Sequence, residues 1–267
     1  MAHGADRPAV VEGFSLPGRR ALGCLLVHGF TGTPEEMRPL GEALAARGFP
    51  VCAVRLAGHG TEVTELARTR WTDWFASVED AATRLAATVP RVAVAGMSMG
   101  ALLALHLAAT RPAAVAALVL CGTPLRLAGW RLRALPVVTR VPWLARRYAF
   151  VPKQNGGPDV ADLAARAASP SYRVTPLAGI AELVRLQRIV RRELAEARQP
   201  ALLLHGRHDH TVPLANLTLL RERLGARTVE THVLERSWHV ITIDHDRDEV
   251  ARLAGAFLER IEAGGVV

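Results

Sequence analysis

The first residue in this chain that invites chemistry is a serine held between glycines. Gly96-Met97-Ser98-Met99-Gly100 follows a short apolar run, Val92 to Ala95, and precedes a long apolar segment. That is the strand, turn and helix setting that a G-x-S-x-G nucleophile elbow requires. The turn strains the serine backbone so that its hydroxyl is presented outward, and a larger side chain at Gly96 or Gly100 would collide with neighbouring backbone. A merely structural turn serine is the plain alternative. A serine hydroxyl is a weak nucleophile at neutral pH, so it needs an adjacent base and a third group to hold that base.

Downstream residues can supply both. His205-Gly206-Arg207-His208-Asp209-His210-Thr211-Val212-Pro213 follows a strand-like run, which puts Asp209 in a loop at the same sheet edge as Ser98. Ser237-Trp238-His239 follows the next such run and brings His239 to that edge. The resulting order of serine, acid and histidine suits an elbow nucleophile, with Ser98 attacking, His239 as base and Asp209 orienting it. The chain has ten histidines, so rivals must be weighed. His205 ends a strand and reads as buried; His232 lies within a strand. His208 and His210 flank Asp209, and a metal cluster there is the alternative, although no third well-spaced ligand group supports it. Asp244 and His245 lead into the last helix, where capping or surface pairing explains them. Cys121-Gly122-Thr123 offers no acid, and Asp73 and Asp80 lie on a helix. The chemistry needs neither a metal nor an organic cofactor.

Acyl transfer also passes through an oxyanion that wants two donors, each worth on the order of 3 kcal/mol. The Met99 amide stands at a helix N-terminus, where it is unpaired and the dipole favours negative charge. The loop His28-Gly29-Phe30-Thr31-Gly32 follows the first long strand, and the Phe30 amide is the expected second donor. His28 serves to fix that loop.

These groups need a scaffold that carries them to one edge. Residues 22–27 and 49–54 are apolar runs bounded by Gly or Pro, as in strands buried on both faces of a parallel sheet. Between them Thr33, Pro34 and Glu36 predict a capped helix that ends before Gly48, with Met37, Leu40 and Leu44 on its apolar face. Trp74, Phe75, Val78, Ala82 and Leu85 recur at helical spacing. Strands follow at 92–95, 115–121, 201–205 and 228–234, with a helix starting near Pro213 and a final one over about 246–262. Such alternation predicts a mostly parallel sheet with helices on both faces.

Residues 124–197 interrupt the pattern. They offer no convincing strand and combine proline breaks, a Gly156-Gly157-Pro158 turn and helical stretches, the last opened by Thr175 and Pro176. The expected organisation is a core over 1–123 carrying the elbow, a small helical cap over 124–197 inserted after the sixth strand, and a second core part over 198–267. Beneath the cap an apolar substrate chain would meet Phe30, Met97, Trp130, Leu135, Trp143 and Ile180, each of which serves equally well as core.

Composition narrows the function classes. The 267 residues are half hydrophobic and 22% charged, enough for one large α/β domain. No apolar run reaches a membrane span and the first twenty residues lack the apolar run of a signal peptide, so a soluble, cytoplasmic protein is expected. Cys24, Cys52 and Cys121 read as small buried hydrophobes, with a Cys24–Cys52 disulfide as a minor alternative. The net charge of +8 comes from arginine, since Lys153 is the only lysine. Acidic residues are interspersed and no basic run alternates with aromatics, so nucleic acid is not an expected partner. Residues 126–147 are basic around Trp130 and Trp143; a solvated face is the plain reading, and weak peripheral contact with an anionic membrane the sharper one. A monomer and a homodimer are both compatible.

With these pieces placed, the chain resembles the bacterial carboxylesterase and monoacylglycerol lipase family of the α/β-hydrolase superfamily, over nearly its whole length. The more specific segments are His28-Gly29-Phe30-Thr31-Gly32-Thr33-Pro34, Gly58-His59-Gly60, and Ser237-Trp238-His239-Val240-Ile241-Thr242-Ile243-Asp244. The resemblance implies an α/β-hydrolase fold, Ser98, Asp209 and His239 as triad, Phe30 and Met99 as oxyanion amides, and a cap over an acyl pocket. It implies small-molecule partners, short- to medium-chain esters or acylglycerols. Two departures stand out: Ala101 replaces a glycine that often follows the elbow, and the cap is rich in arginine, which leaves the pocket size open. A thioesterase, an acyltransferase, a cofactor-free haloperoxidase or a slow ligand-binding relative fits the same residues.

Overall fold

The computed structural model of the chain describes residues 10–127, 149–153 and 156–264. Its centre is a seven-stranded sheet in the order β1-β3-β2-β4-β5-β8-β9. The strands are β1 (Phe14–Leu16), β2 (Leu22–Val27), β3 (Val51–Val54), β4 (Arg91–Met97), β5 (Ala117–Cys121), β8 (Ala201–Gly206) and β9 (Val229–Leu234). Only β1 runs antiparallel; the other neighbours are parallel. Every residue of β2, β5 and β8 is buried, which is why those strands are continuous apolar runs with no alternation. The edge strand β9 is mostly half-buried and mixes Glu230, Thr231 and His232 with Val and Leu.

Helices α1 (Arg38–Ala46) and α8 (Arg247–Glu262) pack on one face through Leu40, Leu44, Phe257 and Leu258. On the other lie α3 (Trp71–Ala86) and α4 (Met99–Thr110). A four-residue helix, α2 (Val63–Leu66), precedes α3. Because α4 is apolar on all sides, it is buried from Met99 to Ala108, sandwiched between sheet, α3 and the insertion. Cys24, Cys52 and Cys121 are free thiols, so the disulfide alternative is not realised. Among the described residues no helix is long and apolar enough to cross a membrane.

Three expectations need correction. The capping box of Thr33 and Glu36 does not form: Pro34–Met37 is a 3-10 turn, α1 starts only at Arg38, and Thr33 makes no side-chain cap. The Glu36 carboxylate instead turns inward against Gly32, where a Cβ would lie 2.0 Å from its Oε2. The insertion also contains strands, since β6 (Phe150–Pro152) and β7 (Val174–Pro176) pair antiparallel. Three residues apiece, each ending in proline, are too short for periodicity to register. Thr175 therefore belongs to a strand and caps nothing, and Pro176 leads directly into α6 (Leu177–Glu193). Finally, the insertion leaves after the fifth strand of the chain, not the sixth, because a single short strand precedes β2.

Helix α6 is tied to the core. Leu183, Leu186 and Val190 join the cluster around α3 and α4, Gln187 reaches the Pro124 carbonyl at 2.5 Å, and Glu193 meets His106 at 2.7 Å. A short helix, α5 (Leu163–Ala168), begins at Asp162, whose carboxylate accepts from the amides of Ala164 and Ala165. Trp130, Leu135 and Trp143 lie outside the described residues. Helix α7 (Ala215–Arg223) connects β8 to β9.

Candidate active site

The elbow adopts the conformation its glycines permit. Ser98 has φ 54° and ψ −115°, a left-handed backbone that few non-glycine residues accept. A Cβ at Gly96 would stand 2.4 Å from the Gly100 backbone, and one at Gly100 would stand 2.1 Å from the Val27 carbonyl oxygen. The turn can pack this tightly under β2 only without side chains there.

Three loops at the C-terminal ends of β4, β8 and β9 then converge. Ser98 Oγ lies 2.9 Å from His239 Nε2, and His239 Nδ1 lies 2.7 Å from Asp209 Oδ2. A ring nitrogen facing a carboxylate carries the proton, so Nδ1–H donates to Asp209 and Nε2 is left to accept from the serine hydroxyl. Asp209 is anchored on its other oxygen, Oδ1 accepting from the amides of Thr211 at 2.8 Å and Val212 at 2.7 Å. Burial alone would raise the Asp209 pKa, and it is the largest single influence. The His239 charge, hydrogen bonds from His205 and His239, and the Val212 amide together outweigh it and hold the carboxyl well below its usual range. Burial likewise pulls His239 down, but Asp209, followed by the charges of Asp159 and Glu36, lifts it above the usual histidine value.

Phe30 and Met99 are the residues whose amides are expected to receive an oxyanion. Neither amide has a hydrogen-bond partner among the described residues, and Phe30 and Ser98 share the wall of one cavity. His28 is occupied in the loop: Nδ1 donates to the Gly29 carbonyl at 2.9 Å, and Nε2 accepts from the Leu56 amide at 3.2 Å. Its burial lowers its pKa to about 4, so it remains neutral.

The cavity holds about 380 Å³ and is lined on its apolar side by Phe30, Met97, Leu127, Ile180, Leu183 and Val240. Of the six substrate-contact residues expected, Phe30, Met97 and Ile180 line it. The Phe30 ring lies under α6 at Gly179, where a Cβ would come within 2.6 Å of Cζ. Gly122 at φ 55° leaves room for the His239 ring, which a Cβ would approach to 3.2 Å.

Several residues here were not singled out by spacing. The Asp159 carbonyl accepts from the His239 and Val240 amides, both at 3.1 Å, while its carboxylate holds the His210 amide at 3.1 Å and ring at 3.0 Å and the Thr211 hydroxyl at 2.9 Å. This insertion residue thus joins the acid and histidine loops, and it fixes His210 away from Asp209. Asp244 is no surface group: fully buried, its carboxylate accepts from the amides of Ala161, Asp162, Trp238 and His245 at 2.8–2.9 Å. Glu36 and Lys153 also reach the cavity wall. The sequence marks Glu36 and Asp244 only as candidate capping groups and Lys153 only by composition, a single lysine in a chain that otherwise uses arginine.

The seven-stranded sheet, its helical layers and the elbow define an α/β-hydrolase. Comparison with known proteins gives the family: the Hydrolase_4 model, described as serine aminopeptidase, S33, matches residues 19–246, and the chain belongs to it. A thermostable monoacylglycerol lipase from Bacillus sp. (strain H-257) is 36% identical over 85% of this chain and 86% of its own. A carboxylesterase from Bacillus subtilis (strain 168) is 27% identical over 89% and 92%. Among solved structures, one from work on the metagenome-derived lipolytic enzymes LipS and LipT superposes with a TM-score of 0.86 at 31% identity, covering 95% of this chain and 98% of that one. The monoacylglycerol lipase of Paleococcus ferrophilus has the same fold, with a TM-score of 0.78 at 17% identity over 95% and 98%. These relationships place the chain among the serine hydrolases of the lipase and carboxylesterase kind.

Proposed function

We propose that the protein is a carboxylesterase for short- to medium-chain esters, monoacylglycerols included, with Ser98, His239 and Asp209 as its catalytic triad. The observation that carries this reading is the line of contacts from Ser98 Oγ through the His239 ring to Asp209, opening on a cavity with an apolar wall. Ser98 Oγ attacks the ester carbonyl as its proton passes to Nε2 of His239. The amides of Phe30 and Met99 receive the oxyanion. Collapse of the tetrahedral intermediate breaks the bond to the alcohol, which leaves with the proton from Nε2. Water then attacks the acyl-serine by the same route and releases the acid. Residues 124–197 act as the cap, contributing Ile180 and Leu183 to the acyl wall.

The test is hydrolysis of p-nitrophenyl esters of increasing acyl length, together with a monoacylglycerol, by the wild-type protein and Ser98→Ala. Turnover abolished in the variant supports the nucleophile, and the peak along the series sizes the pocket. A folded wild-type protein that cleaves no ester sinks the reading. Matched thioesters and aminoacyl p-nitroanilides then decide between a thioesterase and a peptidase of the same scaffold.

A further inference from the structure

Thr31 follows Phe30 directly, and its backbone is strained. The Gly32 amide donates to the Gly29 carbonyl at 3.1 Å, closing a four-residue turn with Phe30 and Thr31 at its centre. Thr31 takes φ 63° there. A turn with positive φ at its third residue ordinarily carries glycine or asparagine, and a β-branched side chain in that region is an outlier. Such a conformation persists only where its surroundings hold it. Two groups do so: the Thr31 hydroxyl donates to the Phe30 carbonyl, and the Thr31 carbonyl accepts from the Tyr172 amide at 3.0 Å. The first contact lies within the turn, whereas the second comes from the insertion, between α5 and β7. Tyr172 also grips the neighbouring loop. Its hydroxyl donates to the Gly58 carbonyl and accepts from the Thr61 amide, both at 3.0 Å. That loop carries His59, whose ring centroid stands 6.0 Å from that of Phe30. One buried tyrosine thus holds Phe30 through its backbone and, by way of His59, through its ring.

We propose that Tyr172 is a positioning residue for the oxyanion donor at Phe30, so that the insertion governs the rate of the chemical step as well as enclosing the substrate. This rests on the esterase reading above, with the Phe30 amide as a donor within it. Tyr172 is not among the residues that line the Ser98 cavity, so it acts through Thr31 and the Gly58–Thr61 loop. A donor amide stabilises developing charge only if it is already aimed at the oxygen, because any reorganisation during the reaction consumes the gain. Rotation about Thr31 would relieve the strain and turn the chain at Phe30 relative to Gly32. The Tyr172 amide on the Thr31 carbonyl opposes that rotation, and the tyrosine hydroxyl keeps the amide in place. Threonine at the strained position therefore makes the aim of Phe30 depend on a contact supplied by the insertion.

The experiment compares the wild-type protein with Tyr172→Phe, which keeps the ring and the amide and removes the hydroxyl that ties them to the Gly58–Thr61 loop. With p-nitrophenyl butyrate, kcat should fall by about tenfold or more, part of the loss that follows removal of a whole oxyanion donor. KM should stay within about twofold, the pattern of an interaction made only in the transition state. Inhibition by propylboronic acid, whose tetrahedral adduct on a serine places an oxygen in the oxyanion hole, should weaken in parallel with kcat. The pH midpoint of kcat/KM should hold, since the neighbours of His239 are untouched. An unchanged kcat, a rise in KM alone, a shifted pH midpoint, or a loss of kcat without weaker boronate inhibition overturns the proposal and leaves the esterase reading standing. No ester turnover by the wild-type protein removes both. Should the variant fail to fold, amide hydrogen exchange of the wild-type protein decides the matter. Coupling between two sites is reciprocal, so propylboronic acid should slow exchange at the Tyr172 and Thr61 amides, and unaltered exchange at both overturns the proposal.

Discussion

His205 Nε2 stands 3.3 Å from Asp209 Oδ2, the same carboxylate oxygen that faces His239 at 2.7 Å. The same nitrogen lies 3.0 Å from the Val212 carbonyl, which makes it a donor shared between backbone and acid. The acid is thus held from the strand end as well as from the histidine loop, and both contacts are buried.

Replacing His205 by leucine should therefore reach the active site without touching substrate. It removes one donor from a buried carboxylate and leaves the Val212 carbonyl unpaired, a loss of about 1–3 kcal/mol. Asp209 has a depressed folded pKa, so its contribution to stability is full above its unfolded value and is lost as pH falls through the folded one. With one stabilising donor gone, that loss should begin at higher pH in the variant. Acid titrations of thermal stability check this; an unchanged acid limb would show that His205 merely fills space.

Asp209→Asn tests the orienting role itself. The amide keeps the shape, yet it no longer requires the proton on Nδ1 of His239, and the ring is free to take the wrong tautomer. The expected loss is on the order of 10⁴-fold in kcat with the fold preserved. Near-native turnover by a folded variant would move the acid elsewhere.

Activity should rise with pH as His239 loses its proton, because only the neutral ring can accept from Ser98. The ring's pKa is raised above the usual histidine value, so the midpoint of kcat/KM should be displaced upward with it. Asp159 contributes to the lift, and Asp159→Asn should move the midpoint to lower pH, since removing a nearby negative charge favours the neutral imidazole. The stability sign is opposite: a raised histidine pKa stabilises fully below the unfolded value and loses that increment as pH rises through the folded one. A midpoint that stays in place in the Asp159 variant would show that its charge is screened from the ring.

How far the sequence reaches into this site follows from range. The elbow was legible because its constraint is local: Gly96 and Gly100 are required by clashes within a few residues and with β2. The convergence of Asp209 and His239 was legible because each lies in a loop after a strand of the sheet, β8 and β9, and a parallel sheet brings such loops to one edge. Thr33 and Glu36 misled for the same reason, a local capping pattern overridden when Glu36 found the cavity. Asp159, Lys153 and Asp244 act through tertiary contacts spanning up to 83 residues, as between Ala161 and Asp244, and no periodicity carries that information.

Asp244 gives the last prediction. Its Oδ2 accepts from Ala161 and Trp238, its Oδ1 from Asp162 and His245, so four amides from two segments converge on one buried carboxylate. Asparagine would turn an NH₂ toward two of those donors, leaving them unpaired beside it. The expected cost is about 3 kcal/mol, the upper range for hydrogen bonds to a charged group. For a chain of this size that is a fall in Tm of about 6–12 °C. The loosened segments are the base of the insertion and the loop carrying His239, so kcat should fall and cleavage by an added protease near residues 156–165 should quicken. Were Asp244 only an ornament of the α8 N-terminus, the cost would stay near 1 kcal/mol, with protease sensitivity and kcat unmoved. Measuring Tm, kcat and digestion rate on the one variant separates a strut that holds the insertion to the histidine loop from a helix cap.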